Sequence, residues 1–203
     1  YSVAVKGDGS VWAWGNNSQG QLGDGSVVPR ANPVRVGSGF SLVSTGVNHS
    51  LGLKSDGSLW AWGSNANGQL GDGTTTPRTA PVRIGTDNDW SAIACGASYT
   101  LALKTNGTLW AWGLNTSGQL GDGTLTQRTS PVQIGTGTDW TSIACTNAID
   151  SFATRADGTL WTWGPSSFGQ WGDGTQAGTV RSSPGQVGSS IDWLTLVPNT
   201  GGF

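Results

Sequence analysis

The chain has 203 residues, enough for one domain with a sizeable core, and a formal charge of −2. That balance offers no general attraction to nucleic acid or anionic membrane, and no apolar run is long enough to span a bilayer. With 34 Gly, 12 Trp, no Met and no Glu, strong helix formers are scarce, which favours strands and tight turns.

Taken in order, the chain repeats one unit. Gly-Gln-Leu-Gly-Asp-Gly at 20–25 recurs at 68–73 and 118–123, and as Gly-Gln-Trp-Gly-Asp-Gly at 169–174. A Trp-Ala-Trp-Gly or Trp-Thr-Trp-Gly run precedes each, starting at Trp12, Trp60, Trp110 and Trp161, so the period is about 50 residues. Residues 1–37 hold all of the unit but its first strand, while 41–85, 90–135 and 140–188 each hold a full set. In the third copy Trp90–Cys95, Tyr99–Lys104 and Leu109–Gly113 read as strands, with Asn106-Gly107 as a hairpin turn. After a longer polar loop, Pro131–Gly135 reads as an edge strand, where the missing proline N–H leaves no gap in a ladder. Segment 193–198 is a spare first strand, complementary to the head. The expectation is all-β: a β-propeller of four repeats, with one blade split between residues 1–37 and 193–198. Three assemblies fit it: a closed four-bladed ring, a segment of a larger ring, or two copies combined.

Within the third strand, Trp110 and Trp112 share one face while Leu109 and Ala111 share the other. Both faces are apolar, so each sheet lies between two others. Trp12, Trp14, Trp60, Trp62, Trp110, Trp112, Trp161 and Trp163 are therefore assigned to structure. Trp-Ala-Trp-Gly-x-Asn-x-x-Gly-Gln-Leu-Gly-Asp-Gly-Thr resembles the repeat of the regulator of chromosome condensation family. The resemblance spans the chain, with three strong copies and a drifted fourth. It implies a propeller whose better-known members have seven blades. It also implies roles in protein–protein contact, among them guanine-nucleotide exchange, a plant ultraviolet-B photoreceptor and a bacterial β-lactamase inhibitor. The photoreceptor role lacks its Gly-Trp-Arg-His run here.

Catalytic groups are hard to find, and the chain is read as not an enzyme. All 12 acids are Asp, and ten occupy repeat-equivalent turns, among them Asp24, Asp72, Asp122 and Asp173. Arg30, Arg78, Arg128 and Arg181 follow these four, as structural pairs or as a cationic ring for an anionic partner. The only histidine, His49, sits in a turn, and no nucleophile–base set surrounds it. Glycine-rich stretches lack the Gly-Lys-Ser/Thr of a phosphate loop. Asp87-Asn-Asp89 lacks the spacing of a calcium loop, and Cys95 and Cys145 with one His lack metal-ligand spacing, so no cofactor and no metal is expected. The two cysteines read as small buried thiols, with a bridge or reactive pair as the alternative. Asn16, Asn48, Asn106 and Asn115 open Asn-x-Ser/Thr triplets, which matter only in a glycosylating compartment.

The long third-to-fourth-strand loops vary most, and share one end of the blades. The expected binding residues there are Phe168, Trp171, His49, Tyr99, Asn115 and Asn65, aromatics among small polar groups. The alternative for Trp171 is that it fills a gap in the drifted blade. The functional reading is a non-catalytic binding or scaffold module, with a protein partner. The alternatives are a carbohydrate-binding propeller and a nucleotide-exchange or regulatory factor. No nucleic acid and no membrane insertion is expected; self-association or additional blades would complete a ring. Extracellular or cell-surface placement is an expectation from composition. The chain opens at Tyr1 without an initiator Met and reads as a mature or excised segment, so no targeting signal is informative.

Overall fold

The computed structural model describes residues 1–146, 149–175 and 178–196. Every described element is a strand, in four antiparallel sheets. The first has three strands: β1 (Ser2–Val5), β2 (Val11–Gly15) and β3 (Arg30–Gly37). The other three have four: β4 (Phe40–Thr45) to β7 (Arg78–Arg83) through β5 (His49–Lys54) and β6 (Leu59–Gly63); β8 (Trp90–Cys95) to β11 (Arg128–Gln133) through β9 (Tyr99–Lys104) and β10 (Leu109–Gly113); and β12 (Trp140–Cys145) to β15 (Thr179–Gln186) through β13 (Ser151–Arg155) and β14 (Leu160–Ser166). Strands pair in chain order as simple meanders. First strands lie innermost and touch those of the adjacent sheets, where Cys95 N–H donates to Ser44 Oγ at 3.1 Å. Fourth strands form the rim.

Local chemistry sets these meanders. At each second hairpin an Asp or Asn carboxyl or amide oxygen accepts from the Ser or Thr two residues on, as Asp56 does from Ser58 N–H at 2.9 Å and Oγ–H at 2.6 Å. That hydroxyl in turn accepts the first indole of the run, Trp60 Nε1 at 2.9 Å. The same relay recurs at Asp8, Asn106 and Asp157. A bulge after Ala111 pairs Gly113 with Arg128. A side chain at Gly113 would stand 2.7 Å from the Ser98 carbonyl, and its φ is +104°. This bulge corrects one boundary: the fourth strand begins at Arg128 rather than Pro131, because the bent third strand reaches three residues further along it.

Blades stack through copies of one seam. The carbonyl of Gln21 accepts from Ser50 Oγ at 2.9 Å and Trp62 Nε1 at 3.0 Å in the next sheet. Gln69 does the same for Thr100 and Trp112, and Gln119 for Ser151 and Trp163. Trp62, Trp112 and Trp163 are completely buried, each against the smaller side chains of the preceding sheet; Trp112 lies among Leu51, Leu59 and Ala61. An aromatic residue opening the first strand of the same sheet meets each indole edge-on, as Trp90 meets Trp112 with centroids 6.0 Å apart. Burying one such indole contributes on the order of 5 kcal/mol as an upper figure.

Described residues 187–196 carry no strand, and among the described residues β1 pairs only with β2. Trp193 N–H instead donates to Gly158 O, as Trp140 N–H does to Gly107 O and Trp90 N–H to Gly57 O, so the tail starts onward along the stack. Val197 and Pro198 of the expected tail strand lie outside the described residues. Trp14, the head's counterpart of the buried indoles, is only half-buried, and among the described residues no sheet covers it as the head sheet covers Trp62.

Candidate functional site

The long loops leave β2, β6, β10 and β14 at one end of the blades. Three of them are built round a buried asparagine. Asn65 Nδ2 donates to Asp72 Oδ1 and to the Thr74 and Thr76 carbonyls, each at 3.1 Å, and its Oδ1 accepts Leu70 N–H at 3.0 Å. Asn17 and Asn115 repeat this set. The Asp at the loop's heart also accepts the Thr or Ser two residues on, and pairs with the following Arg. Arg30–Asp24, Arg78–Asp72, Arg128–Asp122 and Arg181–Asp173 stand at 2.6, 2.6, 2.7 and 2.5 Å. Burial raises the pKa of Asp72, but hydrogen bonds from Thr74 and Arg78 outweigh it and hold the carboxyl below its usual range. Asp173, hydrogen-bonded by Thr175 and Arg181, is drawn down to about 2.

Four expected binding residues are therefore corrected. Asn65 and Asn115 are fully buried braces, not recognition groups. His49 and Tyr99 are also fully buried, as latches between sheets. Tyr99 Oη donates to Asp150 O at 2.7 Å and accepts from Ser151 Oγ at 3.1 Å, while Tyr1 does the same with His49 O and Ser50. His49 Nε2 lies 3.4 Å from Thr100 Oγ1, and burial lowers its pKa to about 4. Room for the two rings comes from Gly46 and Gly96, where a Cβ would fall 2.3 Å from the His49 ring and inside that of Tyr99. In the fourth sheet the pair becomes Thr146 and Asp150, small enough to carry both side chains. Cys95 and Cys145 are free and buried, and burial raises the Cys95 thiol to about 12.

The fourth loop is different. Ser166 stands where the others have the asparagine, and its hydroxyl has no partner among the described residues. Trp171 takes the place of Leu22, Leu70 and Leu120 and is buried as they are; it donates to Gly164 O at 3.2 Å and carries Arg181 over its ring at 4.2 Å. Phe168 points the other way and is 91% exposed, at the tip of the loop. Val27, Val28 and Leu125, on the equivalent loops, are exposed on the same end of their blades. These three escaped the sequence reading, although the repeat alignment marks them, since Thr75 and Thr76 hold the matching places in the second copy.

A family model described as the regulator of chromosome condensation (RCC1) repeat matches residues 8–53, 56–103 and 106–148. A second model of the same description matches 40–69 and 90–119. No curated protein matches the chain at a significant level. Among solved structures, Prp20p from Saccharomyces cerevisiae is 24% identical with a TM-score of 0.82, covering 93% of this chain and 48% of its own. Human WBSCR16 is 22% identical with a TM-score of 0.79, covering 91% and 50%. Yeast Prp20 bound to Kap60 gives 24% identity, a TM-score of 0.80, and 93% and 46% coverage. At these identities the likeness is one of fold, and the chain spans about half the length of the structures it matches. With its repeat models covering more than half of the residues, the chain belongs to the RCC1 repeat family.

Proposed function

We propose that the chain is a non-catalytic protein-binding module that engages its partner through the long-loop end of the blades, centred on Phe168. One observation carries this reading: the loop that has lost its internal asparagine turns a phenylalanine outward, 91% exposed, where its equivalents are Gln19, Asn67 and Ser117. An isolated aromatic ringed by Ser, Gly and Thr is the composition of an anchor residue. The exposed Val27, Val28 and Leu125 extend the apolar character along the same end. The acids offer no competing site, since those of the long loops are committed to turns and Arg pairs.

The structural relative Prp20p is described by its binding to Gsp1p and histones, which makes those two proteins the first probes. Titration calorimetry with each is expected to show binding by at least one. Phe168→Ala should then weaken it about tenfold or more, with the melting temperature unchanged because the side chain touches no core. Equal affinity for the Phe168→Ala protein would remove this end of the blades from the interface.

A further inference from the structure

Charge is divided unequally between the two ends of the blades. The chain has 10 Lys and Arg and 12 Asp, and strand order places each at one end. Away from the long loops, Lys6, Lys54, Lys104 and Arg155 close or follow the second strands, and Asp8, Asp56 and Asp157 sit in the hairpins after them. Arg35 and Arg83 lie toward the same end of their fourth strands, and Asp87, Asp89, Asp139 and Asp192 lie in the connections between sheets. Among charged side chains, the long-loop end keeps only the four Asp–Arg pairs and Asp150, which is buried.

Each of those pairs is closed on itself. The carboxylates are 5 to 16% exposed, and the guanidiniums that hold them 23 to 38%. Opposite charges 2.5 to 2.7 Å apart leave only a dipole, and its field is screened further beyond about 8 Å at physiological salt. A polycation approaching this end meets guanidiniums before carboxylates, and a polyanion meets guanidiniums already neutralised. Either would give up its own hydration for no new ion pair.

Between the pairs the surface offers apolar groups. Val27 and Val28 in the first sheet, Val47 in the second and Leu125 in the third are each about half exposed, on loops of three successive sheets. The loop of Val27 and Val28 leans onto the second sheet, where Gly25 N–H donates to Thr79 O at 2.8 Å. That of Leu125 leans onto the fourth, where Gly123 N–H donates to Ser182 O at 2.8 Å. These side chains are therefore exposed with their neighbouring seam already formed.

We propose that the protein docked on this end meets it with an uncharged surface, apolar at its centre, and that the end refuses polycations and polyanions alike. The inference rests on the long-loop end being the binding face, and adds the chemistry of what it binds. With no field to steer the encounter, association proceeds at about 10⁵–10⁶ M⁻¹s⁻¹ and is insensitive to salt. Selectivity comes from the cost of burying a wrong partner's charge against pairs that are already closed.

A random peptide library displayed on phage and selected on the immobilised chain tests this. Enriched peptides are expected to be apolar and without net charge. Made synthetically, they should bind with affinities that differ less than about twofold between about 50 and about 500 mM sodium chloride. Leu125→Asp should weaken them about tenfold or more with the circular dichroism unchanged, since the replaced side chain is exposed. Val28→Asp, on another sheet, should do the same and decides the matter if Leu125→Asp disturbs folding. Enrichment of strongly basic or acidic peptides, with affinity falling about tenfold or more over that salt range, would overturn the proposal. So would neutral peptides that bind both variants as well as the native chain, or no enrichment over a blank support. Neutral peptides that need Leu125 but are indifferent to Phe168→Ala would sustain this inference and overturn the centring on Phe168. Charged peptides that need Phe168 would do the reverse.

Discussion

His49 is a neutral imidazole held without water, and its burial makes stability depend on pH in a defined window. Its pKa falls from the ordinary 6.5 to about 4 in the folded chain, so the unfolded chain binds the proton more readily. The contribution is fully present above pH 6.5 and is lost as pH falls towards 4, to a total of about 3 kcal/mol. Urea denaturation at stepped pH should show that loss in the native protein. It should be absent from His49→Tyr, a ring the matching position already accepts at Tyr99. The loop carboxylates are held below their usual range while burial raises Asp150, so the imidazole's share is the difference between the native protein and His49→Tyr. Asn115 argues the same principle with hydrogen bonds instead of protons. Asn115→Ala strands the Leu120 N–H and three acceptors, and should cost about 2–3 kcal/mol by chemical denaturation. The fourth loop, with Ser166 at that place, has an indole where the braced loops bury a leucine.

At the scale of strands and loops, much was legible because the repeat turns one guess into four. Trp90–Cys95, Tyr99–Lys104 and Leu109–Gly113 run as their periodicity and the Asn106-Gly107 turn require. The start of the fourth strand was not legible, because a bulge at Gly113 shifts its partner and leaves no mark in alternation. The candidate site was read poorly for a chemical reason. Asn and Tyr suit both an exposed recognition loop and a buried hydrogen-bonded brace, and residue type does not separate the two. Position does: Asn17, Asn65 and Asn115 each stand seven residues before the Asp whose carboxylate they hold. Ser166 keeps that spacing to Asp173 but lacks the amide, and thereby marks Phe168 as the loop residue with a different task. The Gly96–Tyr99 and Gly46–His49 pairs show a second kind of signal, a missing side chain that accommodates a ring.

For the whole molecule, repetition made the propeller readable, while the destination of the tail depended on contacts between sheets that no single repeat encodes. Each seam joins a sheet only to its neighbours in sequence, through a carbonyl, a hydroxyl and an indole. Cooperativity in such a row is local, and a unit with one neighbour has half the support of a unit with two. In a dilute sample the amides of β5, β6, β9 and β10 should therefore exchange with deuterium last, and those of β1 and β2 early. Uniform protection along the row would show that the margins are held as firmly as the middle. Unravelling from its outermost leaves, the polypeptide would lose its loop face blade by blade rather than all at once, so a partner gripping several blades would also act as a splint.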